Sequence, residues 1–261
     1  MIITIIITAI ILIYGVLIGS FLNVCIYRIP RGESVVHSRS HCMSCGATLK
    51  NRDLFPVISY MILKGRCRNC GETISIQYPL IEFLNGAIYV IIFLTRGLPG
   101  VADRSLEYHL TSVLFCLVTS ALIAISVIDF RTYEIPEKIK LFLLVAGLIR
   151  IGLDYRNWGL YLIGFFCVST FLYVIFLLSG GKAIGGGDIK LMAVAGALIG
   201  WKNILLALFL GCLLGSILHI IRMKISHADR MLAMGPYLSA GIFIAMLYGD
   251  QLIKWYLSAF L

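Results

Sequence analysis

Asp129 closes the apolar run LIAISVIDF, and Asp188 closes the glycine-rich run GGKAIGGGD. A carboxylate at the edge of hydrocarbon is costly, so such residues are rare and usually functional. The two stand 59 positions apart, and only a helix bundle could bring them together. Two close carboxylates cannot both ionise, so such a pair shares one proton. The ionised member can draw a proton from water while the protonated member polarises a peptide carbonyl. This is aspartic-protease chemistry set at a membrane surface. Gly185, Gly186 and Gly187 run directly into Asp188. Three glycines build a poor helix start, each costing ~1 kcal/mol there. They do let a substrate strand or a second helix approach the backbone, and their N–H groups could hold a substrate carbonyl. Three blander readings stand beside this one. Asp129 could be a helix end facing water, Asp188 an N-cap, and the two together a proton relay in a proton-coupled membrane transporter.

Four cysteines carry a second chemistry. Cys42 and Cys45 form one CxxC pair, and Cys67 and Cys70 form another after an intervening stretch of about 20 residues. That spacing is the four-thiolate pattern of a zinc ribbon. Gly46 and Gly71 follow the second cysteine of each pair, where a glycine lets the backbone turn its amides toward the sulfurs. A segment of this size has little core of its own, so metal would supply much of its folding free energy. Disulfides and redox chemistry are the alternatives. The first is disfavoured in a reducing compartment, and the second lacks a βαβ setting. The other four cysteines, Cys25, Cys116, Cys167 and Cys212, sit singly in apolar runs and read as core packing.

The elements that must position these groups are membrane helices. Of 261 residues, 60% are hydrophobic and 13% charged, where a soluble domain carries about 25% charged residues. The sequence predicts an all-α polytopic membrane protein of about eight transmembrane helices with a small cytoplasmic zinc-ribbon-like loop domain. The expected spans are 2–25, 79–95, 110–128, 139–153, 159–179, 188–201, 204–221 and 232–248. The expected domains are the first span (1–25), a zinc-binding segment (26–78) and a membrane core (79–261). The opening run lacks a positive n-region and a small-residue cleavage site, so it reads as a retained span. With eight spans, 16 Lys and Arg fall on the side of the first loop and six on the other: Arg96, Arg104, Arg150, Arg156, Lys202 and Lys254. That bias puts the first loop, Asp129 and Asp188 in the cytoplasm. The net charge of +9 is then mostly a topology signal. No basic, aromatic-interleaved patch argues for nucleic acid.

These residues resemble one family along nearly the whole chain, the type IV prepilin peptidases. Gly19-Ser20-Phe21-Leu22-Asn23-Val24 with Tyr27-Arg28-Ile29-Pro30 is similar to its first-span signature. The CxxC pairs, Gly65-Arg66-Cys67, Gln77-Tyr78-Pro79 and Glu82 follow in order. Gly185 to Asp188 resembles its GxGD motif, and Asp129 sits where its other catalytic aspartate sits. Met234-Gly235-Pro236-Tyr237 resembles a late Gly-Pro segment in which Phe is more usual than Met234, and Glu137 stands where Asp is common.

The resemblance implies a multifunctional enzyme of the bacterial cytoplasmic membrane. It would be an aspartic endopeptidase that cleaves the leader of prepilins or pseudopilins, with Asp129 and Asp188 as the catalytic pair. It would then N-methylate the new terminus with S-adenosylmethionine. It implies structural Zn²⁺ on Cys42, Cys45, Cys67 and Cys70. A basic leader stays in the cytoplasm while its apolar helix lies in the bilayer, so the scissile bond meets the depth expected for both aspartates. Glu82, Glu134 and Glu137 could attract the leader or the freed amine, or be solvated interfacial charges. No glycine-rich nucleotide fingerprint marks where the methyl donor binds.

Overall fold

The computed structural model describes residues 2–37, 39–97, 106–226 and 232–260. Arg104 and Arg230, both counted in the charge bias, lie outside them. The apolar sequence is helical throughout. No strand occurs among the described residues, only isolated bridges of His41 with Thr48 and of Arg66 with Thr73. The helices are α1 (Ile2–Arg28), α2 (Ile58–Ile62), α3 (Gln77–Ile92), α4 (Leu106–Thr132), α5 (Glu137–Leu153), α6 (Trp158–Leu178), α7 (Gly186–Ser226) and α8 (Gly235–Phe260).

Five helical stretches are long and apolar enough to cross a membrane: Ile2–Arg31, Gln77–Gly97, Leu106–Thr132, Tyr155–Leu178 and Gly186–Ile225. The expected span 139–153 falls on α5, whose 17 residues reach about 25 Å at 1.5 Å each, short of a ~30 Å hydrocarbon layer. The expected spans 188–201 and 204–221 fall on one run, α7. It is broken at Gly200, where φ is 79° and ψ 169°, a backbone region open essentially to glycine alone. Beyond the break the chain reverses. Asn203 donates to Asp250 at 3.2 Å, deep in α8, whereas Gly215 packs on Tyr237 at the start of α8. The second half of α7 therefore runs antiparallel to α8.

The chain forms two compact units, Met1–Val101 and Ala102–Leu261. In the first, α1 packs on α3. Gly15 and Gly19 form a GxxxG seam, and a Cβ on either would come within 2.7 Å of a Cα in α3. Small residues at this spacing let helices touch in lipid. Two buried amides cross the seam: Asn85 donates to the Gly15 carbonyl at 2.7 Å and Asn23 to the Tyr78 carbonyl at 3.1 Å. The N-terminal half of α1 exposes Ile2, Ile3, Ile5, Ile6, Ile10 and Ile13, a surface suited to lipid. In the second unit α7 packs on α5, α6 and α8, and α4 packs on α5 and α8. Cys25 is buried as expected, whereas Cys212 is exposed on α7 rather than packed.

Candidate active site and metal centre

Asp129 lies in the last turn of α4 and is 4% exposed. Its Oδ2 accepts the Gly235 N–H at 2.8 Å. Gly235 opens α8, so the carboxylate faces the N-terminal end of a helix, where free N–H groups and the macrodipole stabilise negative charge. The fit admits nothing larger than glycine: a Cβ at Gly235 would stand 2.7 Å from that oxygen. Just beyond, α4 is stopped by Tyr133 with φ 55°, in the left-handed region. Its N–H still bonds the Asp129 carbonyl at 2.9 Å.

Asp188 lies in the first turn of α7, two residues inside the helix rather than at its cap. It is partly exposed. Its N–H donates to the Gly185 carbonyl at 3.1 Å. Gly187 packs on Ile135 and Lys190 pairs with Glu137 at 2.7 Å, so folding sets the start of α7 against the connection that follows Asp129. No hydrogen bond joins the two carboxylates among the described residues. Gly185 and Gly186 are exposed, and Gly187 packs on Ile135.

Beside the pair, Lys140 is buried, 5% exposed. Its Nζ meets Glu137 Oε1 at 3.0 Å, and Lys190 meets the same oxygen at 2.7 Å. Glu137 thus ties α5 to the start of α7. Hydrogen bonds from Lys190 and Lys140 hold its carboxyl below the usual range. Glu134 is exposed and makes no ion pair among the described residues.

Glu82 belongs to the first unit, 7% exposed in the second turn of α3, and accepts the Val57 N–H at 2.7 Å. The four cysteines of that unit gather as their spacing predicts. Their sulfurs all lie within 4.8 Å of one another, with Cys42 Sγ and Cys70 Sγ 3.9 Å apart. A tetrahedral zinc with ~2.3 Å bonds needs sulfurs about 3.8 Å apart, so the set fits that ion. Each pair forms the same turn. Cys42 and Cys67 N–H groups bond Ala47 and Glu72 carbonyls at 2.9 and 2.7 Å, and Gly46 and Gly71 close the turns at φ 70° and 73°. The Ala47 N–H and then Asn69 hold the Cys45 thiol at about 6, favouring the thiolate that a metal requires. Arg68, in the second turn, pairs at 2.8 Å with Asp53, in the segment between the turns.

Gly235 is the site residue to which the sequence alone assigned no role. Its signal was the Gly-Pro step, since proline just inside a helix start marks an N-terminus.

Two family models match the chain: the bacterial peptidase A24 N-terminal domain over residues 13–96 and the type IV leader peptidase family over residues 116–220. Curated relatives align over nearly the full length. A prepilin leader peptidase/N-methyltransferase of Aeromonas salmonicida (strain A449) is 32% identical, covering 97% of this chain and 94% of its own. The protein of that name in Bacillus subtilis (strain 168) is 32% identical, covering 95% and 97%. That of Pseudomonas aeruginosa is 29% identical, covering 93% and 91%. No solved structure matches the chain.

Proposed function

This chain belongs to the type IV leader peptidase family, and on that premise we propose that it cleaves the leader of a prepilin or pseudopilin with Asp129 and Asp188 and then N-methylates the exposed terminus. The observation that carries the peptidase reading is Asp129, buried and fixed by the Gly235 N–H, with the helix start that bears the more accessible Asp188 packed on Ile135 and tied to Glu137 just beyond it. One carboxylate takes a proton from water as the water oxygen attacks the scissile carbonyl. The other donates a hydrogen bond to that carbonyl oxygen and stabilises the charge that develops on it. Gly185 and Gly186 offer uncovered backbone to an extended substrate, and Gly187 seats the motif on Ile135. Of the acidic candidates in this unit, Glu134 is free to meet a basic leader. Glu137 is committed to Lys140 and Lys190 and holds the start of α7.

Zinc on Cys42, Cys45, Cys67 and Cys70 is structural, since four thiolates leave no open position for catalysis. S-adenosylmethionine supplies the methyl group. The Lys and Arg bias supports a multi-pass chain of the bacterial cytoplasmic membrane with both aspartates and the cysteines on the inner side. The reversal at Gly200 supports two crossings within α7, as eight spans require.

The test is Asp129→Asn and Asp188→Asn in proteoliposomes with a prepilin substrate. Each is expected to lower cleavage by on the order of 10³-fold or more while zinc content stays at the wild-type level. Full cleavage by either variant would reject the assignment.

A further inference from the structure

The first unit encloses a cavity of about 510 Å³ between the inner end of α1, the start of α3 and the cysteine module. Small-molecule sites span about 300–1,000 Å³. Tyr27, Phe55 and Tyr60 give the cavity aromatic walls. Two buried polar groups on its lining lack what they need. Asn23 is 3% exposed and spends its amide N–H groups on Tyr78 and Gly19 carbonyls, while its buried Oδ1 has no partner. Glu82 accepts a hydrogen bond from the Val57 N–H, yet no cation pairs with it among the described residues. An orphaned buried acceptor and an uncompensated buried carboxylate are both costly. A ligand that relieved the carboxylate would bring a positive charge, and the aromatic walls suit a flat ring.

We propose that this cavity binds S-adenosylmethionine beside the substrate's freed α-amino group, and that Glu82 takes the proton which that ammonium must lose. The proposal rests on the methyltransferase reading above. The adenine ring would lie against the aromatic walls. The substrate ammonium supplies the missing cation and passes one proton to the Glu82 carboxylate. The neutral nitrogen then uses its lone pair to form the N–CH₃ bond. The S–CH₃ bond breaks with its electron pair left on sulfur, which becomes a neutral thioether, and the product is a methylated ammonium. Glu82 releases its proton to water.

The experiment uses the full chain, purified in detergent, with a synthetic mature-pilin peptide bearing a free α-amino group, so that methylation is read without cleavage. Val24 lines the cavity from α1. Val24→Trp is expected to weaken S-adenosylmethionine binding in equilibrium dialysis by on the order of 30-fold or more through overpacking. Prepilin cleavage and zinc content stay unchanged. Glu82→Gln is expected to bind the donor normally and lose methylation by about 100-fold. Ultraviolet crosslinking of radiolabelled donor to the wild-type chain is expected to mark peptides containing Tyr27, Phe55 or Tyr60, a readout that needs no variant to fold. Wild-type binding by Val24→Trp, wild-type methylation or lost donor binding in Glu82→Gln, or crosslinks confined to the second unit would overturn the proposal while the methyltransferase reading stands. A wild-type chain that neither binds the donor nor methylates the peptide would overturn both.

Discussion

Asp129 is held by a backbone group rather than by another side chain, and this determines how the site should respond to substitution. The bond to the Gly235 N–H at 2.8 Å survives any change of side chain elsewhere, but it requires that nothing project from residue 235. A methyl group there would sit 2.7 Å from Oδ2 and 2.9 Å from the Asp129 Cβ. Gly235→Ala is therefore expected to push the carboxylate aside and lower prepilin cleavage on the order of 10²-fold, the cost of misplacing a reacting group by about 1 Å. Initial rates in proteoliposomes check this, and unchanged rates would show that the contact is dispensable. The carboxylates were legible in the sequence because charge in an apolar run stands out. Their fixing partner was not, because Gly235 lies 106 positions from Asp129 and a glycine carries no chemical signal of its own.

At the level of elements, the cysteine turns were the most legible part of the molecule. Their spacing and following glycines specify local geometry, so little depends on distant packing. Extended pairing beside the turns is limited to single bridges, because each turn is followed at once by irregular chain rather than by an alternating apolar run. With so little regular structure, the module depends on its ion. Replacing all four cysteines by Ser, or stripping the metal with a chelator, is expected to loosen the backbone so that trypsin cuts faster at Arg52, Lys64 and Arg66, whose side chains are already exposed. Methylation is expected to fall at least as far as cleavage. Limited proteolysis read with both activities checks this, and unchanged methylation would contradict it. The break in α7 was only half legible. Two short spans were expected on either side of Lys202 and Asn203, but the break falls at Gly200, and neither flanking segment shows a loop composition.

At the scale of the whole molecule, apolar composition made the membrane class plain, and the asymmetry of Lys and Arg gave an orientation that can be tested directly. Alkaline phosphatase fused after Arg156 is expected to be active, because that residue is expected outside. The same enzyme fused after Lys182 is expected to be inactive, and the opposite pattern would invert the assignment. The number of crossings was less legible, since α5 is too short by its own 17 residues and must rely on its neighbours on α4 and α7. The long loop from Asp129 to its N–H donor also has a temporal side. During synthesis, α4 emerges from the ribosome well before α8, so a nascent chain carries both aspartates before it has the amide that fixes the first. On the aspartic-peptidase reading, hydrolytic competence is expected only after translation has delivered the helix that begins at Gly235.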